Sequence, residues 1–174
     1  MSKKDFVFLA LGSNLDNPKS QVLEAIGKIN SIPDVELIKK SNLYKTKAVG
    51  GPKGQPDYIN AVVLCMTTMT PLKLLSVLQR IEIEQGRVRG EERNLPRTID
   101  IDILLHGDIR MNSERLEIPH PRMHIRDFVL TPLKDICLRT YENIVSGMWP
   151  CISYADLESI EFDRSTSYED KVGR

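Results

Sequence analysis

Asp100 and Asp102 stand two residues apart in the run I-D-I-D-I-L-L, interleaved with Ile99, Ile101 and Ile103. Successive side chains of a strand point to opposite faces, so both carboxylates share one face, roughly 6 to 7 Å apart at about 3.3 Å per residue, and the isoleucines share the other. Carboxylates at that separation can straddle two divalent cations of the kind that sit roughly 3.5 to 4 Å apart and hold phosphate oxygens in phosphoryl-transfer sites. Any half-exposed strand also alternates acids with isoleucine, so the pair gains weight only from its neighbours. Those neighbours are arginines. Between Arg80 and Arg97, arginines at 80, 87, 89, 93 and 97 stand against glutamates at 82, 84, 91 and 92, too even a balance for a nucleic-acid stripe. Yet Arg87, Arg89, Arg93 and Arg97 all lie in the polar loop that leads into the aspartates, where planar guanidinium forks can clamp a polyphosphate. His120, between Pro119 and Pro121 and near Arg115, Arg122 and Arg126, is either a phosphate donor or a structural histidine of a rigid turn. No G-x-x-x-x-G-K-[ST] loop occurs, which excludes a Walker-type phosphate cradle.

The elements that must position these residues follow from the apolar periods. Phe6 to Leu11 reads as a buried strand stopped by a Gly12-Ser13-Asn14 turn. Asp16 or Asn17 caps a helix with Pro18 in its first turn, and Val22, Ile26 and Ile29 form its stripe up to Pro33. Val35 to Tyr44 is a second, weakly alternating strand, followed by a loop over 46–56 with three glycines and two prolines. Tyr58 to Met66 is a third strand, and its two-residue period puts Tyr58 and Asn60 on one face, with Cys65 on the core side. Thr70 caps a second helix that Gly86 stops, a loop over 87–97 follows, and the aspartate strand comes next. Ile109 to Ile118 forms a peripheral β-hairpin, and a helix begins near Asp127 and is interrupted at Pro132. The order strand, helix, strand, strand, helix, strand predicts an α+β fold, a ferredoxin-like sandwich with an antiparallel sheet and helices on one face. Residues 1–164 form a single domain, and 165–174, poor in aliphatic residues, form a poorly ordered C-terminal tail.

Composition bounds what this domain can do. The chain has 174 residues, 41% hydrophobic and 28% charged, which suits one core. Lysine plus arginine, 24, equals aspartate plus glutamate, 24, so the overall basic excess of a nucleic-acid or anionic-membrane binder is missing. Three widely spaced cysteines, Cys65, Cys137 and Cys151, match neither a disulfide framework nor a metal knuckle and read as reduced thiols. No apolar run approaches the ~18 residues that span a bilayer, so the expectation is a cytoplasmic protein without a membrane or nucleic-acid partner. Ferredoxin-like sheets also bind RNA through stacked aromatics, but here the exposed strand face carries aspartates, which would repel phosphate in the absence of a cation.

Five motifs occur in one order: L-G-S-N-L (Leu11 to Leu15), Q-P-D-Y-I-N (Gln55 to Asn60), Q-G-R-V-R (Gln85 to Arg89), P-R-T-I-D-I-D-I-L-L (Pro96 to Leu105) and R-L-E-I-P-H-P (Arg115 to Pro121). From about Val7 to Ile136 the chain thereby resembles the 6-hydroxymethyl-7,8-dihydropterin pyrophosphokinases of folate biosynthesis. The resemblance implies a monomer that moves a pyrophosphoryl group from MgATP to the pterin's hydroxymethyl oxygen and releases AMP. It implies two Mg2+ ions on Asp100 and Asp102, with Arg87 and Arg97 joining them as catalytic residues. ATP contacts would fall on Gln79, Glu82, Arg89, Arg93, Ile103, Arg115, His120 and Arg126. The pterin pocket would fall on Thr46, Val49, Gly50 and Asn60, with Tyr58 and Phe128 sandwiching the ring. The chain departs from the family's common pattern at Lys47-Ala48, where proline is usual, and at Asn94, where many members carry tryptophan.

Overall fold

The computed structural model describes residues 3–88 and 94–147. Its sheet is built on the apolar runs: β1 (Asp5–Ser13), β2 (Val35–Lys40), β4 (Tyr58–Thr67) and β5 (Asp100–His106) lie in the order β2-β4-β1-β5, and short β3 (Tyr44–Thr46) also pairs with β4. Every pairing is antiparallel. β1 and β4, in the middle, are apolar at nearly every position because both their faces are covered.

On one face lie α1 (Pro18–Asn30) and α2 (Pro71–Glu84). Asn17 caps α1 by accepting from the Ser20 N–H, Thr70 caps α2 by accepting from the Lys73 N–H, and each helix has proline in its first turn, where no donor is missed. Val22, Ile26 and Ile29 of α1 and Leu74, Leu78 and Ile81 of α2 pack on Leu9, Leu11, Ile101 and Ile103 of the sheet. Cys65 belongs to this core, and burial pushes its thiol up to about 12, so it stays an inert packed thiol.

The opposite face differs from the expectation of helices on one side. It carries α3 (Asp127–Ile136) and α4 (Leu138–Val145), which pack Val129, Leu130, Leu133 and Ile144 on Phe8, Val62, Leu64 and Leu104. Pro132 does not interrupt α3 but lies within it. The proline removes one backbone donor, and four apolar residues anchored on the sheet hold the turn regardless. The Gly12-Ser13-Asn14 turn is also corrected: β1 runs through Gly12 and Ser13, paired on one side with Asn60 and Ile59. The expected hairpin is present as β6 (Met111–Asn112) and β7 (Glu117–Ile118). No helix among the described residues is long and apolar enough to cross a membrane. The expected tail over 165–174 lies outside the described residues.

Candidate active site

α3 stops short of covering its whole face, and Asp100, Asp102, Gly12, Tyr58 and Asn60 line the end of the sheet beyond its first turn. Register places them side by side: Gly12 pairs with Asp100 on β5 and with Asn60 on β4, and Ala10 pairs with Asp102. Ile99, Ile101 and Ile103 are buried on the far side, as the alternation predicts.

Each aspartate has its own cationic surround. Arg87 Nη1 donates to Asp100 Oδ1 at 2.6 Å, and Arg97 Nη1 donates to Asp100 Oδ2 at 3.0 Å. Asp102 Oδ2 lies 3.6 Å from Arg126 Nη1 and 3.8 Å from His120 Nε2. The last approach is not an ion pair at neutral pH, because burial, helped by Arg126 and Arg122, lowers His120 to about 4. Burial first, and then the Asp100 carboxylate, raises Asp102 above the ordinary carboxylate range against the opposing pull of Arg126. Two carboxylates that repel one another on a partly desolvated strand face offer oxygen donors suited to a hard divalent cation such as magnesium. No cluster of three or more His, Cys, Asp or Glu suited to a metal occurs among the described residues, so any cation here would take its remaining ligands from elsewhere.

Glu82, which the resemblance assigns to the nucleotide, lines a cleft together with both aspartates and also ties two elements together. It is buried on α2, and one oxygen accepts both from Arg87 Nη1 at 2.6 Å and from the Ile101 N–H at 2.8 Å. It therefore fixes Arg87 to the aspartate strand. On this side a cleft of about 390 Å³ runs between α2, β5 and the β6–β7 hairpin, and Gln79, Ile103, Arg115 and His120 line it together with both aspartates. Arg115 is held there by Ser76, whose hydroxyl accepts from its Nη2 at 3.3 Å. Arg89 and Arg93 lie outside the described residues.

On the other side of the aspartates is a second group. Asn60 Nδ2 donates to Thr46 Oγ1 at 2.6 Å. Asn60 Oδ1 faces Gly12, where a Cβ would come within 3.0 Å of it and within 3.6 Å of the Tyr58 ring. Tyr58 is half-buried, and burial raises its hydroxyl above the ordinary value while Arg97 pulls it down, which places the ring beside the arginine–aspartate cluster. Phe128, in the first turn of α3, has the Arg126 guanidinium 5.5 Å from its ring centroid. Gly50 lies on the loop, and Val49 beside it is 74% exposed.

Two residues without an expected role tie the loops to the sheet. Asn14, buried at the end of β1, donates to Gln55 Oε1 at 3.3 Å and Pro56 O at 3.2 Å, and accepts from the Arg97 N–H at 2.9 Å. Gln55 Nε2 donates in turn to Gly50 O at 3.0 Å and Asn94 O at 3.1 Å. Gly51 has a positive φ and no room for a Cβ against the Asn94 carbonyl, so the two loops touch through bare backbone. Both Asn14 and Gln55 sit inside motifs visible in the sequence. Nothing local in the sequence showed that their side chains would bridge the two loops.

The fold is that of a ferredoxin-like α+β sandwich with an acidic pair and its arginines at one end of the sheet. Solved chains with this fold include Plasmodium falciparum HPPK-DHPS with pteroate, at a TM-score of 0.58 and 17% identity, covering 76% of this chain but 39% of that one. The family described as 7,8-dihydro-6-hydroxymethylpterin-pyrophosphokinase (HPPK) matches residues 8–138, and the chain belongs to it. Similar proteins include the 2-amino-4-hydroxy-6-hydroxymethyldihydropteridine pyrophosphokinase of Haemophilus influenzae, 50% identical over 133 residues that cover 74% of this chain and 79% of that one. The Pseudomonas aeruginosa protein of the same name is 45% identical over 130 residues, covering 75% and 79%. A part of the "Folate synthesis bifunctional protein, mitochondrial" of Arabidopsis thaliana is 38% identical, covering 82% of this chain and 25% of that one.

Proposed function

We propose that this chain carries out its family's reaction, pyrophosphoryl transfer from ATP to the hydroxymethyl group of 6-hydroxymethyl-7,8-dihydropterin, at the end of the sheet where Asp100 and Asp102 lie. The alcohol oxygen bonds to the β-phosphorus, the bond from that phosphorus to the α,β-bridging oxygen breaks, AMP leaves and the alcohol proton passes to solvent. Such a transfer depends on positioning and charge neutralisation far more than on acid–base chemistry, which agrees with a site that offers arginines and carboxylates but no charged histidine.

The observation that carries this reading is that Asp100 and Asp102 separate two unlike surfaces. The cleft lined by Gln79, Ile103, Arg115 and His120 is polar and suits the nucleotide. Tyr58, Asn60, Thr46 and Phe128 offer ring faces and a side-chain amide, the groups a flat heterocycle with its own donors and acceptors requires. Asp100 and Asp102 would hold magnesium, two ions on this reading, which supplies Lewis-acid charge at the phosphate oxygens. Arg87 and Arg97, released from Asp100, would turn to the phosphates, while Glu82 keeps Arg87 from swinging away. Arg126 would serve the phosphates from the α3 side, together with Arg89 and Arg93. Every residue in this scheme comes from a single chain, so it needs no second copy.

The nucleotide product tests the reading. With ATP, magnesium and the reduced hydroxymethylpterin, the chain should form AMP in step with pterin diphosphate, whereas ADP would mean ordinary phosphoryl transfer and would overturn it.

A further inference from the structure

Away from the aspartates, a single carboxylate oxygen collects three hydrogen bonds from a distant part of the chain. Asp135 Oδ2, near the end of α3, accepts from the Tyr44 hydroxyl at 2.5 Å, from the Asn42 side-chain amide at 3.2 Å and from the Asn42 backbone N–H at 3.3 Å. The Tyr44 hydroxyl is held as a donor, since burial and then this carboxylate push it up to about 12.

Both sides of this joint lead into the pterin pocket. Tyr44 opens β3, which pairs with β4 at Tyr44–Asn60 and Thr46–Tyr58, so the strand that Asp135 grips is the one that brings Thr46 to Asn60. On the other side, α3 carries Phe128 at its second position. The amide edge and one ring face of the pocket thus come from different elements, and Asp135 joins those elements directly. The apolar face of α3 holds the helix down on the sheet through non-directional packing. A directional hydrogen bond to a charged acceptor fixes what apolar packing does not.

We infer that Asp135 is a positioning residue for the pterin substrate, its joint with Tyr44 setting the spacing between Phe128 on α3 and the Thr46–Asn60 pair on β3 and β4. The inference rests on the pterin assignment proposed above. It makes a selective claim: the joint serves the pterin more than the nucleotide, since Gln79 stands on α2 and Arg115 in the hairpin, and of the nucleotide's proposed contacts only Arg126 adjoins α3.

Tyr44→Phe and Asp135→Ala in the full chain test it through steady-state KM for each substrate, with melting curves recorded alongside. Both variants should raise the KM for hydroxymethyldihydropterin about three- to tenfold, the size of one ordinary net hydrogen bond, since only part of the joint's strength reaches the pocket. The KM for ATP and kcat should stay within about twofold, and the double variant should be no worse than Asp135→Ala alone, as for two residues acting through one bond. Tyr44→Phe keeps the ring and decides the matter if Asp135→Ala fails to fold. An unchanged pterin KM in Tyr44→Phe, or an equal rise for both substrates, overturns the inference. Asn60→Ala separates the two levels: if it raises the pterin KM and Tyr44→Phe does not, only the positioning role falls, and if neither raises it, the pocket assignment itself falls.

Discussion

Replacing Gly12 by alanine should block the pterin pocket while leaving the sheet standing. Gly12 is absent from the positive-φ positions and is paired in register on both sides, so its backbone accepts a side chain without strain. The difficulty is space. The new methyl would lie 3.0 Å from Asn60 Oδ1 and 3.6 Å from Tyr58 Cδ1. Asn60 is 5% exposed and its nitrogen is held 2.6 Å from Thr46 Oγ1, so it cannot retreat without losing that bond. Crowding of this kind costs about 1 to 3 kcal/mol. Alanine recovers roughly 0.5 to 1 kcal/mol of the glycine's chain entropy, which leaves a folding cost of about 2.5 kcal/mol or less. Binding loses more. An amide turned out of place gives up two hydrogen bonds to the pterin, each worth about 0.5 to 1.5 kcal/mol, or roughly five- to a hundred-and-fiftyfold in Kd together. Calorimetric titration of hydroxymethylpterin in the presence of magnesium and a non-hydrolysable ATP analogue, with the analogue titrated separately, reads both affinities. Unchanged pterin affinity in a folded variant, or an equal loss for the analogue, would refute the close approach of Gly12 to the pocket.

Phe128→Ala should weaken pterin binding by roughly 1 to 3 kcal/mol, by analogy with stacked bases, and barely touch the ATP analogue in the same titrations. Glu82→Gln keeps an acceptor but removes the buried charge that holds Arg87, and should cost about 1 to 3 kcal/mol in denaturant unfolding; an unchanged midpoint would mean that Asp100 alone holds the arginine. His106, fully buried with Nε2 3.1 Å from Met69 O and Nδ1 without a hydrogen-bond partner, has its imidazole pushed below the ordinary 6.5 by burial, with Asp5 opposing. A lowered native value means that the unfolded chain binds the extra proton first, so this contribution to stability is complete above about pH 6.5 and declines as the pH falls below it. Melting temperatures from pH 8 to pH 5 should fall less steeply for His106→Gln than for the unchanged chain, and parallel curves would rule His106 out as the cause.

The parts of the fold that the sequence made legible are those in which local signals agree with burial. The Ile–Asp alternation located β5 and its two faces, and caps with adjacent prolines located α1 and α2. α4 escaped because only Thr140 and Ile144 of its eight residues are buried, too few to show a stripe, and α3 looked broken because the rule for proline is local while its anchoring on Leu64 and Leu104 is not. In the site, spacing paired Tyr58 with Asn60 and Asp100 with Asp102, relations within one strand. The relations between strands were hidden: Gly12 reads as a turn until Asn60 is placed opposite it, and no local signal joins Glu82 to Arg87 and to the Ile101 N–H.

The metal role of the aspartate pair is open to direct measurement. Asp100→Asn and Asp102→Asn each exchange one carboxylate oxygen for an amide on a strand face whose reverse side, the isoleucine core, is untouched. Magnesium-dependent AMP formation by each variant, under saturating ATP and pterin and with the melting temperature confirming the fold, should fall by far more than tenfold and by more than for any single arginine replaced. Retention of more than about a tenth of kcat in both, a barrier change of only about 1.4 kcal/mol, would contradict magnesium binding by this pair.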